Sequence, residues 1–213
     1  MKPIYIIGAG GAAKEIFLLV REIIAASANY DFKGFVDVIE KDKKMMVGGK
    51  SFPVLSESGF LKSCKENVAI AFGLGFATDM KKVSDKYSKY KNFEFPNLIH
   101  PDVALDESVS LGVGNSISTS CVFTLDISLG SFNAINRGVH IGHDCKIGSC
   151  NVLNPCAVIS GGVVMKDENL IGTNATVLQY LSIGSKNKIG AGAVVTKNVN
   201  SSSTMVGVPA RKA

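Results

Sequence analysis

The stretch Val139–Gly148, VHIGHDCKIG, carries His140, His143, Asp144 and Cys145, and so holds two of the chain's three histidines. Imidazole, carboxylate and thiol at this spacing suit three kinds of chemistry: metal ligation, covalent transfer through a thiolate, and proton transfer by an imidazole supported by a carboxylate. A zinc site made of His140, His143, Cys145 and Cys150 requires all four to converge tetrahedrally. The proton-transfer reading needs only a pair. A carboxylate beside an imidazole stabilises imidazolium, so Asp144 would make His143 a better base near neutral pH. A second group of candidates lies at the N-terminus. GAGGAA places Gly8, Gly10 and Ala13 in G-x-G-x-x-A register after the apolar run PIYII. Such a turn lets the backbone approach a phosphate at the start of a helix. Gly11 belongs to the same turn, and Asp37 stands where a ribose-binding acid would be expected.

Two different patterns position these groups. Residues 1–98 read as α/β. A buried first strand is followed by a helical face of Ile16, Leu19, Val20, Ile23 and Ile24, with the i, i+3, i+4, i+7, i+8 spacing of an amphipathic helix. KGFVDV and NVAIAFG read as further strands and TDMKKVSDKYSKY as a polar helix, so parallel βαβ units in a Rossmann-like domain are expected. From residue 99 to 213 the pattern changes. Every sixth residue from Ile99 through Ile141, Ile147 and Leu153 to Val195 is apolar. No helix or ordinary strand has that period; a parallel β-helix of hexapeptide repeats does. Asn115, Asn133, Asn151, Asn169 and Asn187 recur every eighteen residues, so three hexads make one turn of a triangular prism. The asparagines are expected at a tight corner, where positive φ is tolerated. In this register Cys145 occupies a small inward slot, which opposes a metal on the outside, and His143 and Asp144 face outward. The N-terminal domain is expected to cover one end of the prism and VGVPARKA part of the other, since solenoid ends need covering.

Composition removes several function classes. A net charge of +5 without any run of basic residues gives no footprint for nucleic acid but suits a small anionic ligand. The apolar run at the N-terminus is too short for a secretory segment, and no uncharged stretch is long enough to span a membrane. A cytoplasmic protein with five reduced cysteines is the expectation. About 95 residues hardly hold the two mononucleotide halves of a complete dinucleotide fold, which weighs against NAD at the glycine turn.

A small GAGG α/β domain, a hexapeptide prism with GHDCKIG in its middle and a terminal VGVPAR together resemble the sugar O-/N-acetyltransferases of the left-handed β-helix superfamily. These include sialic acid O-acetyltransferases and bacterial nucleotide-4-amino-sugar N-acetyltransferases. The resemblance covers nearly the whole chain. It implies a left-handed parallel β-helix and transfer of acetyl from acetyl-CoA to a sugar amine or hydroxyl. Attack would be direct, with His143 as general base, Asp144 as its support and no metal. It also implies that Asn136 contacts the acceptor and that Gly8, Gly10, Gly11, Asp37 and Gly73 bind the nucleotide part of that acceptor. The backbone at Gly161, Thr173 and Ala191 would line the coenzyme groove between neighbouring prisms of a homotrimer. Gly161 lies eighteen residues after His143, and Thr173 and Ala191 are likewise eighteen apart. Related enzymes often carry a second histidine near position 152, which helps hold the acetyl carbonyl; this chain has Val152, and a backbone N–H such as that of Gly161 would have to serve. His140 is expected at the surface and His100 at the domain junction. A sialic acid acceptor remains a second reading, and a nucleotide-sensing module on a trimeric scaffold a third.

Overall fold

A computed structural model describes residues 1–38 and 43–213. The N-terminal part comprises β1 (Lys2–Ile7), α1 (Gly11–Ser27), β2 (Tyr30–Asp37), β3 (Lys43–Val47), β4 (Lys50–Ser56), α2 (Glu57–Ser63), β5 (Val68–Phe72), α3 (Ala77–Tyr87) and β6 (Phe93–Glu94). They build one six-stranded sheet in the order β3-β4-β2-β1-β5-β6, parallel except for the β3–β4 hairpin. Alternation along β1 explains its two-sided burial. Ile4 and Ile6 pack with Ile16, Val20 and Phe17 of α1, whereas Ile7 packs on the other side with Met80 and Tyr87 of α3. The hairpin and α2 were not expected from sequence, where the domain reads as three strands and two helices.

Two-residue strands from Leu98 to Val195 stack into three parallel sheets, and each strand pairs with the one eighteen residues away. The result is a left-handed β-helix of triangular section. One face contains Ala134–Ile135 and Val152–Leu153, the second His140–Ile141 and Val158–Ile159, and the third Lys146–Ile147 and Val164–Met165. Ile117, Phe123, Leu129 and their successors to Val195 are buried in a continuous core. The repeat-derived inward positions are therefore the core of the prism.

The asparagine ladder is real, but its cause differs from the expectation. Positive φ falls one residue earlier, at Gly114, Phe132, Cys150, Glu168 and Lys186. The asparagines themselves are buried and hydrogen-bonded from coil to coil. Asn151 donates its backbone N–H to Asn133 Oδ1 at 2.8 Å, and Asn169 donates to Asn151 Oδ1 at 2.8 Å. Asn97 Oδ1 and Ser203 N–H extend the ladder at its two ends. A side-chain amide suits this place because it satisfies backbone donors that the turning chain would otherwise leave buried and unpaired. Asn151→Ala is accordingly expected to cost about 2–3 kcal/mol, measured by urea unfolding, because the N–H of Asn169 loses its acceptor.

The N-terminal domain does not sit over the end of the prism. It lies along the first face, where Ala134, Cys150 and Val152 pack with Phe72, Met80, Tyr87 and Phe93. Where the domain docks, the outward positions Ala134 and Val152 of that face are small and apolar, and both are buried. Ile99, Leu105 and Leu111 in the first coil consequently remain only partly buried. His100 ties the two parts together. Its Nε2 lies 3.0 Å from Glu22 of α1 and its Nδ1 2.6 Å from Asp102. Asp102 also accepts from Thr119 and from the N–H of Ser120. Partial burial works against its charge, but the bonds from Thr119, His100 and Ser120 outweigh it and hold the carboxyl below its ordinary range. At the far end, Thr204–Val206 pairs with Lys188–Ile189 and folds back on Arg211–Lys212, so the C-terminal tail closes the last coil.

Candidate active site

His143 and Asp144 occupy the edge between the second and third faces. From Gly114 to Gly192 each corner of the helix has one residue of positive φ, and Asp144, at φ 59°, is such a residue. The tight turn that follows from the coil geometry carries the Asp144 carboxylate back toward the preceding ring, where its Oδ2 lies 2.8 Å from His143 Nδ1. A carboxylate can only accept, so Nδ1 bears the hydrogen and Nε2 keeps the basic lone pair. Both side chains are more than half exposed, which leaves that lone pair available to a substrate. Gly161 stacks over the ring: a Cβ built there would fall 2.5 Å from Nε2 and 2.6 Å from Cε1. Gly142, in the same hexad as His143, is required for a similar reason, since its Cβ would meet the Gly161 nitrogen at 2.6 Å. Leu125 below and Tyr180 above are exposed and border the edge with apolar surface.

The remaining members of the histidine cluster separate. Cys145 is fully buried, its Sγ 3.2 Å from the carbonyl of Ser160, and burial pushes its thiol up. Such a thiol is a poor nucleophile and a poor outward ligand. Cys150 is buried beneath the N-terminal domain against Ser84, and His140 is exposed on the second face. Among the described residues no three His, Cys, Asp or Glu side chains gather to hold a metal ion.

The N-terminal glycines divide into two kinds. Gly8 has φ +106°, and a Cβ there would fall 2.7 Å from the Gly73 carbonyl oxygen; a Cβ on Gly73 would fall 2.5 Å from Ala13 Cα. These two allow the loop after β1 to lie against the end of β5. Gly10 and Gly11 instead have open space where a Cβ would stand. Asp37 fastens the loop, accepting from the N–H of Ala9 at 2.8 Å and of Val38 at 2.6 Å. Gly10 supplies no side-chain cap to α1, so the first N–H groups of that helix are available to an anion.

Beside this loop a cavity of about 250 Å³ opens between α1 and the prism, lined by Gly11, Glu15, Phe72, Asn136, Val152 and Asn154 among others. Gly11 and Asn136, far apart in sequence, thus come to one site. Asn154, not singled out from the sequence, joins them: its Oδ1 accepts from Asn136 Nδ2 at 3.4 Å. Its signal was the eighteen-residue step from Asn136. Val152 forms apolar floor here, almost wholly buried.

The structure places the predicted residues on two edges. Asn136, Thr173 and Ala191 follow strands of the first face, and His143 and Gly161 follow strands of the second. One chain therefore carries a pocket edge and a histidine edge on opposite sides of its second face.

Residues 3–87 match the PglD N-terminal domain family. Solved structures extend the likeness over the whole chain. PerB from Caulobacter crescentus, in complex with CoA and GDP-perosamine, is 26% identical with a TM-score of 0.86, covering 100% of this chain and 98% of that one. The acetyltransferase domain of PglB from Neisseria gonorrhoeae, in complex with acetyl coenzyme A, is 26% identical with a TM-score of 0.87, covering 100% and 99%. WeeI from Acinetobacter baumannii is 29% identical with a TM-score of 0.83, covering 100% of both chains. A variant of the Caulobacter perosamine N-acetyltransferase in which a histidine is replaced by asparagine is also among the similar structures. Comparison with curated protein sequences gives no match. Residues 3–87 thus carry a PglD N-terminal domain, and over its full length the chain is similar to acetyltransferases built on the left-handed hexapeptide β-helix.

Proposed function

We propose that this protein is an acetyl-CoA-dependent acetyltransferase that acetylates the amine of a nucleotide-activated sugar, with His143 as general base. The observation that carries this is the exposed imidazole whose Nδ1 is held by Asp144, with its Nε2 edge beneath the bare backbone of Gly161. In the reaction Nε2 takes the proton from the acceptor nitrogen as that nitrogen attacks the thioester carbonyl; the C–S bond then breaks and coenzyme A leaves as the thiolate. Asp144 stabilises the imidazolium formed. Residues 1–98 would serve the acceptor, with Gly8, Gly10, Gly11, Asp37 and Gly73 shaping the loop for its phosphates and Asn136 reaching its sugar. Residues 99–213 would supply the base and the coenzyme contacts at Gly161, Thr173 and Ala191. An amine is favoured over the hydroxyl of sialic acid because the similar structures include a GDP-perosamine N-acetyltransferase bound to CoA and that nucleotide sugar. Use of a coenzyme A thioester as donor supports a cytoplasmic enzyme; no helix among the described residues is long and apolar enough to cross a membrane.

The two edges support a homotrimer. Packing three prisms side by side brings the histidine edge of one copy to the pocket edge of the next, and apolar Leu125 and Tyr180 beside His143 suit burial against a neighbour. Leu125→Glu is expected to convert a species of 3 × 22.5 = 67.5 kDa into one of 22.5 kDa, measured by sedimentation, and to abolish acetyl transfer with it. The activity itself is tested by incubating the protein with acetyl-CoA and a panel of UDP-, GDP- and dTDP-linked amino sugars and free sialic acid, following release of coenzyme A thiol. Nucleotide binding without thiol release from any acceptor would instead support the sensing module.

A further inference from the structure

A second cavity, of about 360 Å³, is distinct from the one beside Asn136. It lies under the β3–β4 hairpin, at the opposite end of α1, and shares no residue with the Asn136 pocket. From Gly11 to Ile24 the helix rises about 20 Å, so the two are separate sites. The sequence builds this one deliberately from three rings. Phe17 lies 4.9 Å from Phe32 and 4.7 Å from Phe52, centroid to centroid, and Phe32 meets Phe52 edge-on at 5.5 Å. Ile24 and Val47 complete the apolar wall. At the tip of the hairpin Val47 pairs with Lys50, leaving Gly48 and Gly49 as a two-residue turn with φ of +54° and +76°, as a hairpin of this kind requires. Neither glycine has anything within 4 Å of its Cβ position, so the turn borders the cavity without filling it.

Charge sets what the cavity accepts. Its polar lining consists of Arg21, Lys50 and Asp31. Asp31 is already paired, its Oδ2 2.6 Å from Lys33 Nζ. Arg21 and Lys50 are exposed, and neither has an ion-pair partner among the described residues. The carbonyl end of α1 lies nearby and repels an anion, so the two cations have to hold one unaided. We propose that this cavity is a second binding site, for a small carboxylate with an aromatic or branched aliphatic body: the body lies against the wall formed by Phe17, Phe32 and Phe52, and the carboxylate meets Arg21 and Lys50. The dimensions and the mix of apolar wall with few polar groups are those of ligand sites.

The test uses 3-phenylpropionate and its neutral isostere 3-phenylpropanamide, titrated calorimetrically into the full chain, the wild type and the Arg21→Gln and Lys50→Gln variants. Both substitutions are at exposed positions, and a thermal melt checks that the fold is kept. Saturable binding of the acid is expected, weakened about tenfold or more by each substitution and by loss of the charge in the amide. It should be unaffected by saturating coenzyme A, and acetyl transfer by both variants should equal the wild type. No saturable binding, binding indifferent to both substitutions, or displacement by coenzyme A would each overturn the proposal.

Discussion

Replacement of His143 by alanine is expected to lower the turnover of acetyl transfer about 10²–10⁴-fold, the usual worth of a positioned general base. Coenzyme A binding and the melting temperature should change little, because the side chain is more than half exposed and its backbone pairing is kept by any residue: the N–H of Gly162 donates to the His143 carbonyl at 2.7 Å. The same reasoning predicts a smaller loss for Asp144→Asn. An amide oxygen can still accept from Nδ1, so ring orientation survives, but the negative charge that favours imidazolium is gone. Steady-state kinetics with calorimetric coenzyme titration checks both. Unchanged turnover in His143→Ala would mean that the proton leaves by another route.

The second large effect is expected at a residue with no side chain. In Gly161→Ala the new Cβ would stand 2.5 Å from Nε2, inside contact distance, and the atoms in its way belong to the free end of an exposed ring. The ring can swing aside cheaply, so stability should hold. The base then moves by about 1 Å or more from its working position, and misplacement of that size costs on the order of 10²-fold in turnover. A substitution that leaves the melt unchanged and kcat reduced, with the KM for acetyl-CoA altered by less, would bear this out. Equal kinetics in Gly161→Ala would show that the ring does not work from the position seen here.

Much of this was legible in the sequence because a repeat fold converts position into geometry. The step of six identified the inward residues, and Cys145 went inward as its slot required. His143 and Asp144 stood out because the repeat does not account for them. Other features were hidden for physical reasons. The spacing suggests positive φ at the ladder asparagines, but it falls on the preceding residue, where the chain tolerates even Phe132; the amides serve buried backbone donors instead. The β3–β4 hairpin is hard to read from sequence because its strands are largely exposed and carry lysines, so neither shows a clear apolar alternation, although Gly48-Gly49 is a hairpin signal. The side-on docking of the N-terminal domain had a trace in the outward residues Ala134, Val152 and Leu170, spaced by eighteen, which reads as a covered face only once the prism is known. The same repeat puts Asn136 and His143 in consecutive hexads, and so on successive edges of the prism.

The most direct test of the account is product analysis by mass spectrometry after incubation with acetyl-CoA and a nucleotide-linked 4-amino sugar, for the wild type and for His143→Asn. The account predicts a new N-acetyl product and an equal amount of coenzyme A thiol with the wild type, and a deep loss of both with the variant, which should still bind coenzyme A. Acetylated product formed at the wild-type rate by His143→Asn would contradict it.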